Sequence, residues 1–314
     1  MPEIANSATV HPKARLADDV EVGPGCFVGP EVTIGPACRL MPNATVLGNT
    51  TIGSGNVFYP ATVIGAPPQD LKYEGTNTRL VIGDNNIFRE NVTAHTGTEV
   101  AGGITEIGSN NQFQVGAHLA HDVKVGDHCI LSNHVQIAGH VHIEDHVTIS
   151  GLVGVQQFVT LGRFCFITGM ARCTFDAPPY MIFGFEGAIQ GVNVKGLYRW
   201  GFEEPEVQQL REMFKRLYPR KSQGVNHYRL RNLYGLLPPK GSERNGAVSL
   251  ARRIRDIEAG DTLDEHSRYL VNFIKRSIHN GVYGRYLEAL RRDDGAAKAK
   301  FYNGRNGPNG GNGQ

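Results

Sequence analysis

Large apolar residues return at every sixth position along much of this chain. From Ile4 the series runs Val10, Leu16, Val22, Val28, Ile34, Leu40, Val46, Ile52, Phe58 and Ile64 with no polar member. In a chain that is 40% hydrophobic, such a run in one phase has a chance of roughly four in 100,000. A second series runs Ile107, Phe113, Leu119, Val125, Leu131, Ile137, Ile143, Ile149, Val155, Leu161 and Ile167, and Ile82 and Phe88 form a fragment between the two. Six fits neither a 3.6-residue helix nor simple alternation, but it is a β-helix repeat, in which each hexapeptide is a short strand plus a corner. Three hexapeptides make one triangular coil, and the ladder residue points into the prism.

Two residues before each ladder position the side chain also points inward. Small residues fill many of these places: Ala8, Ala14, Cys26, Cys38, Ala44 and Thr50, and further along Cys129 and Cys165. Four of the five cysteines are thus core fillers, and reduced thiols suit the scattered, odd-numbered set better than a disulfide framework. Glycine follows the ladder residue at Gly23, Gly29, Gly35, Gly53, Gly65, Gly83, Gly108, Gly126 and Gly162, where a corner is expected to need unusual dihedral angles.

The ladder breaks at 65–81 and again at about 95–106. A solenoid needs no such loops, so they are expected to serve binding. After Cys173 the run Asp176-Ala177-Pro178-Pro179-Tyr180 is expected to stop the coil. Beyond it Pro205 sits where a first helical turn tolerates it, ahead of a stripe of Val207, Leu210, Phe214 and Leu217. A second stripe follows at Leu263, Leu270, Phe273, Ile274 and Ile278, then Tyr286, Leu287 and Leu290. The expected organisation is mainly β: a parallel β-helix over 1–190, a C-terminal α-helical domain over 191–293, and a disordered Gly/Asn-rich tail over 294–314.

The net charge of +2 gives no reason to expect nucleic acid. No apolar run reaches the ~20 residues that span a bilayer, and Met1–Asn6 lacks a basic stretch leading into an apolar one. A cytoplasmic protein without stable membrane insertion is therefore expected.

Histidine carries the chemistry. Seven of the twelve lie between 118 and 146. At 18 residues per coil, His121, Gly139 and Gln157 should stack in one file, about 4.8 Å apart. His121 falls at an outward corner beside Asp122, and His140 lies on the coil next to Asp122. A base, a glycine amide and a carboxamide on one edge suit acyl transfer: the imidazole takes a proton from an attacking hydroxyl, and the amide stabilises the oxyanion.

Over roughly residues 1–215 the sequence resembles the UDP-N-acetylglucosamine O-acyltransferases that begin lipid A synthesis. The distinctive strings are Gln69-Asp70-Leu71-Lys72-Tyr73, Ala117-His118-Leu119-Ala120-His121-Asp122, Ala138-Gly139-His140-Val141, Asp176-Ala177-Pro178-Pro179-Tyr180 and Gly191-Val192-Asn193. The resemblance implies a left-handed coil and a homotrimer with active sites between subunits. It also implies a 3-hydroxyacyl donor carried as the phosphopantetheine thioester of acyl carrier protein, a UDP-sugar acceptor, and no metal or other cofactor. His121 matches the general base, paired with Asp122, and Gly139 the oxyanion donor. Gln69, Asp70, Lys72, His95, His118, His140 and Gln157 match positions that hold sugar nucleotide, acyl chain or pantetheine arm. Asn193 and Arg199 match residues near the nucleotide, and Gly169 the place that helps set acyl length, leaving room for a longer chain.

Two departures stand out. Gln156, on the sugar-facing side, replaces a histidine of the family, and Tyr198-Arg199-Trp200-Gly201-Phe202 carries two fewer cations than its counterpart. An N-acyltransferase of a nucleotide amino sugar, a non-catalytic binding paralogue and a zinc enzyme like the β-helical carbonic anhydrases are the alternatives. The basic residues Lys215, Arg216, Arg220 and Lys221 read either as a solvated helix end or as a dock for acidic acyl carrier protein.

Overall fold

The computed structural model describes residues 1–71, 73–219, 250–260, 262–279 and 284–290. Lys72, Arg220, Lys221 and the 294–314 tail lie outside the described residues. The ladder residue is the second residue of nearly every short strand, and the strands stack into three sheets of eleven, nine and eight. They form the three faces of a left-handed parallel β-helix. Partners lie 18 residues apart where the coil is regular, as in Ile4 with Val22 and Leu119 with Ile137. The ladder is completely buried from Val28 to Ile167 at nearly every rung, each large apolar side chain contributing about 1.5–3 kcal/mol relative to exposure. Cys173 proves to be a ladder residue itself, paired with Val155. Burial drives the Cys129 thiol up to about 12 and those of Cys165 and Cys173 upward as well, so all three stay protonated.

Two internal ladders were not anticipated. Phe58, Phe88 and Phe113 stack at 4.8 and 4.7 Å. Two residues before them, Asn56, Asn86 and Asn111 pass hydrogen bonds upward: the Asn86 amide donates to Asn56 Oδ1, the Asn111 amide to Asn86 Oδ1, and the Cys129 amide to Asn111 Oδ1 at 2.7 Å. An inward carboxamide is tolerated here because its partners repeat with the coil.

The expectation for the glycines needs correction. Apart from Gly65, those that follow the ladder residue do not have positive φ; that conformation falls two residues later, at Gly25, Asn43, Asn85, Asp122, His140 and their equivalents. The glycines are needed for close approach instead. A Cβ on Gly83 would lie 2.8 Å from the carbonyl oxygen of Gly108, on the neighbouring coil.

The coil does not stop abruptly at 176–180. Ala177 still bridges Leu161, and Met181–Phe183 pairs with Phe166 and Ile167 before Ile189–Val192 turns back antiparallel. Helices α1 (Val194–Arg199), α2 (Glu204–Leu217), α3 (Leu250–Gly260), α4 (Glu265–His279) and α5 (Tyr286–Ala289) follow. Pro205 lies in the first turn of α2, and Val207, Leu210, Met213 and Leu217 form its buried stripe. The later helices dock back on the coil through polar contacts: Tyr269 donates to Glu144 Oε2 at 2.6 Å, and the Arg163 guanidinium lies 3.8 Å from the centre of the Tyr269 ring. The hub is Asp176, fully buried. It accepts from the Thr160 amide, Ser277 Oγ and the Tyr286 amide.

Burial raises the Asp176 carboxyl to about 6, against the opposing pull of those donors. Between its ordinary value and about 6 the folded chain holds a proton that the unfolded chain has lost. This group's contribution is therefore complete below about pH 4 and is lost as pH rises through about 6. Denaturation of wild type and Asp176→Asn should show the stability difference moving against wild type from pH 4 to 7. A difference independent of pH would contradict the assignment.

Candidate active site

The chain leaves the regular coil twice, both times at the corner joining the nine-stranded face to the eight-stranded face. The first excursion, between Val63–Ala66 and Arg79–Ile82, moves the partner of Phe58 out to Phe88; the second, between Thr93–His95 and Ile104–Ile107, moves the partner of Phe88 to Phe113. His121 occupies the same corner one coil later, after His118–Leu119. The two loops fold over it. The side chain that points away from the prism is thus covered, and His121 is 4% exposed.

Four contacts set the imidazole. Its Nδ1 lies 2.7 Å from Asp122 Oδ2, and its Nε2 lies 3.9 Å from Asp70 Oδ2, on the first loop. The His140 ring meets it edge-on at 5.1 Å, with His140 Nδ1 3.7 Å from Asp122 Oδ2. Beneath it is Gly139, where a Cβ would fall 2.7 Å from His121 Nε2. With a carboxylate facing Nδ1, the neutral ring carries its proton there and leaves the Nε2 lone pair free.

Asp122 is held as firmly. It has a φ of 59°, a conformation Asp tolerates better than most residues. From the second loop Thr98 donates twice, from its amide to Oδ1 at 2.8 Å and from Oγ1 to Oδ2 at 2.6 Å. The Asp122 amide donates to Thr105 Oγ1. Thr98 does not follow from the ladder, because its segment has left the period, whereas Thr105, two residues before Ile107, occupies the inward file.

The Gly139 amide is available for a structural reason. It sits at the first corner position, where Pro24, Pro36, Pro42 and Pro60 stand in other turns, each followed by a residue of positive φ. The backbone ladder leaves that N–H unused, so proline fits for lack of one, and at Ser54, Asp84, Ser109, Asp127 and Arg163 it donates to a side chain of the neighbouring coil instead. Among the described residues the Gly139 N–H has no intramolecular acceptor.

His118 lies on the outer side of the nine-stranded face, 2.7 Å from Thr93 Oγ1. His95 is buried, its ring edge-on to His118 at 4.9 Å, and its Nδ1 has no partner among the described residues. Burial, then the neighbouring imidazoles, lowers His95 to about 4; burial, then His121, lowers His118. A groove of about 510 Å³ runs along the same face, lined by His118, Gln136, Ile137, Ala138, Gly154, Val155, Gln156 and Arg172. Gln157 is exposed, on the corner file of His121 and Gly139. Phe158, to which the sequence assigned no role, stacks on the His140 ring at 4.5 Å.

Other expected residues are not brought together with His121 within one chain. Gly169 is exposed on the corner joining the eleven- and nine-stranded faces. Asn193 caps α1, accepting from the Gly196 amide and donating to the Phe164 carbonyl, on the third corner. There Trp200 packs against His146 at 4.3 Å, and Arg199 stands exposed beside it. Gln69 is exposed on the first loop.

His121, Asp122 and His140 place donor atoms within 4.8 Å of one another, the donor set of a cation site. The 2.7 Å between His121 Nδ1 and Asp122 Oδ2 is nevertheless hydrogen-bond spacing. Two ligands at about 2.0 Å from a tetrahedral zinc stand about 3.3 Å apart.

A coil of hexapeptides with a buried histidine–aspartate pair at one corner defines a hexapeptide-repeat transferase. Residues 104–139 match the bacterial transferase hexapeptide repeat, and residues 176–282 match the second domain of UDP-N-acetylglucosamine O-acyltransferase. The acyl-[acyl-carrier-protein]–UDP-N-acetylglucosamine O-acyltransferase of Akkermansia muciniphila is 52% identical over 227 residues, 72% of this chain and 87% of that protein. Its counterpart from Saccharophagus degradans is 46% identical over 222 residues, covering 70% and 86%. The crystal structure of the UDP-N-acetylglucosamine acyltransferase from Bacteroides fragilis superimposes with a TM-score of 0.75 at 34% identity, over 87% of this chain and 96% of that one. The chain belongs to the UDP-N-acetylglucosamine O-acyltransferase family.

Gly139→Ala should displace the His121 ring and leave the fold intact, since the same turn position accepts proline elsewhere. The downfield proton resonance of the Nδ1–H bonded to Asp122 should vanish from the NMR spectrum while the melting temperature stays near wild type. An unchanged resonance would show that the ring does not rest on Gly139.

Proposed function

We propose that this chain moves a 3-hydroxyacyl group from the thioester of acyl carrier protein to the 3-hydroxyl of UDP-N-acetylglucosamine, the first step of lipid A synthesis. The observation that carries the mechanism is the His121–Asp122 pair stacked on the free amide of Gly139. His121 Nε2 takes the proton of the sugar hydroxyl as its oxygen attacks the thioester carbon. Asp122 holds the ring in the tautomer this requires and stabilises the imidazolium that forms. The Gly139 N–H donates to the oxyanion. When the intermediate collapses, the C–S bond breaks and the proton passes from Nε2 to the departing thiolate. Asp70 and Gln69 approach the sugar from the first loop, His140, Gln156 and Gln157 from the neighbouring coils, and the groove along His118, Gln136 and Gly154 takes the acyl-pantetheine arm. No metal enters the scheme, and the hydrogen-bond spacing of His121 and Asp122 supports a proton-transfer pair over a zinc site.

The active unit in this reading is a homotrimer. Leu152 and Met170 are 61% and 65% exposed at corner positions with φ near 60°, and Ile87, Ile130 and Phe166 point outward on the adjoining face. Solvent would not reward bulky apolar side chains there, whereas a second copy would. A neighbour would also bring Asn193, Arg199 and Gly169 toward a His121 that its own chain keeps on another corner. The coil of 1–190 then carries the chemistry, and the helices of 191–293 dock acyl carrier protein through the basic end of α2, where Arg216 stands beside a Lys215 paired with Glu212. No helix among the described residues is long and apolar enough to cross a membrane, in keeping with cytoplasmic substrates.

His121→Ala should lower kcat about 10²–10⁴-fold without unfolding the chain. A variant keeping more than about a tenth of wild-type kcat would remove His121 from the base role. Because burial lowers His95 to about 4 and lowers His118 as well, kcat/KM should rise with pH along a single ionisation, and His118→Gln should keep that shape. Two histidine-like ionisations would sink the one-base scheme. Sedimentation should give three chains per particle; a stable, active monomer would contradict the shared cleft.

A further inference from the structure

We propose that Glu99 is a positioning residue: it fixes the 66–78 loop, and through it Asp70, against the loop that aligns the His121–Asp122 pair. The inference rests on the reading that the first loop holds UDP-N-acetylglucosamine.

Glu99 begins a single turn of 3-10 helix, Glu99–Ala101, on the second loop. One of its carboxylate oxygens, Oε1, accepts three hydrogen bonds from the first loop. Thr76 Oγ1 donates at 2.6 Å, the Glu74 amide at 3.2 Å and the Thr76 amide at 3.3 Å. Burial opposes the charge, but the Thr76 hydroxyl and the backbone amides outweigh it and hold the carboxyl below its usual range. Glu99 is therefore ionised at neutral pH, and its bonds are charge-assisted. From Thr76 the order runs back to the sugar side. Tyr73 donates its hydroxyl to the Thr76 carbonyl and its amide to the Asp70 carbonyl, and Asp70 Oδ2 lies 3.9 Å from His121 Nε2.

The preceding residue, Thr98, makes the two hydrogen bonds that hold Asp122. Two consecutive residues thus grip the two halves of the site, Thr98 the base pair and Glu99 the acceptor loop. A bond between Thr78 Oγ1 and Thr96 Oγ1 at 3.1 Å joins the loops at their roots, so Glu99 orders the distal part alone. The first loop has no repeat to pack against, and without the carboxylate its amides at 74 and 76 return to solvent. The acceptor would then meet a loop that must first be ordered, and that cost appears in acceptor binding rather than in the chemical step.

The test compares Glu99→Ala and Glu99→Gln with wild type by amide hydrogen exchange over 66–78 without substrate, and by steady-state kinetics with UDP-N-acetylglucosamine and acyl carrier thioester varied separately. Glu99→Ala should speed exchange over 73–78 and raise KM for the sugar nucleotide about tenfold, the effect of losing charge-assisted hydrogen bonds. Its kcat and its KM for the thioester should stay within about threefold of wild type. Glu99→Gln keeps an acceptor oxygen and should recover most of both effects. Unchanged exchange in Glu99→Ala, or a loss spread equally over kcat and both KM values, would overturn the proposal. If wild type fails to turn over UDP-N-acetylglucosamine, the proposed function falls, and the exchange comparison still decides whether Glu99 holds the loop.

Discussion

From Ala5 to Cys173 one hydrogen bond recurs: the amide that follows the ladder residue donates to the carbonyl of the ladder residue one coil on. Gly23 gives to Leu40, Gly126 to Ile143 and Ala138 to Val155, all between 2.8 and 3.1 Å. That bond locks the register of successive coils, and the buried ladder makes any other register expensive, because a slip of one residue would turn every apolar side chain outward. Everything at the site inherits this constraint. His121, Gly139 and Gln157 share a corner because 18 residues separate them and the coil permits no drift. The ring of His121 lies over Gly139 for the same reason, and so a residue without a side chain is required there.

Against so regular a frame, the two excursions carry the individuality of the protein. Both emerge at the corner of His121, on the two coils before it, and they lengthen the chain without disturbing the ladder, as the continuous stack of Phe58, Phe88 and Phe113 shows. The coil supplies positions and the loops supply an environment. Thr98 holds Asp122 and Asp70 approaches the His121 ring, and burial of His95 and His118 keeps their imidazoles neutral beside it. In a low-dielectric pocket the His121–Asp122 hydrogen bond gains strength, and the same burial discourages a second positive charge nearby.

What could be read from the residues follows from this division. The ladder is periodic, so the strand positions, the inward cysteines and the stacking of residues 121 and 139 were legible by counting. The glycines after the ladder residue were legible as necessary but not for the right cause. Close approach of coils and positive φ both select glycine, and only the structure separates them, placing the positive φ two residues later at Asp122 and His140. The loops obey no period. That they served the site could be guessed, but Thr98 and Glu99 could not be singled out, since each acts through a contact between segments that no spacing predicts. The return of α4 and α5 onto the coil through Asp176 was hidden likewise: its partners, Ser277 and Tyr286, lie about a hundred residues away.

The same corner logic bears on the proposed cleft between chains. A triangular prism presents three edges, and one chain uses them unequally. His121 and Gly139 lie on one edge, Gly169 with Leu152 and Met170 on the second, and Asn193, Arg199 and Trp200 on the third. No movement within a coil can bring those edges together, since the register that fixes His121 over Gly139 also keeps the corners a full face apart. A ligand long enough to carry a nucleotide, a sugar and an acyl-pantetheine arm needs contacts from more than one edge and a second wall to exclude water. Threefold association would meet both needs at once, setting the first edge of one copy against another edge of its neighbour. It would leave Gly139, whose amide the coil does not use, facing the interior of the cleft.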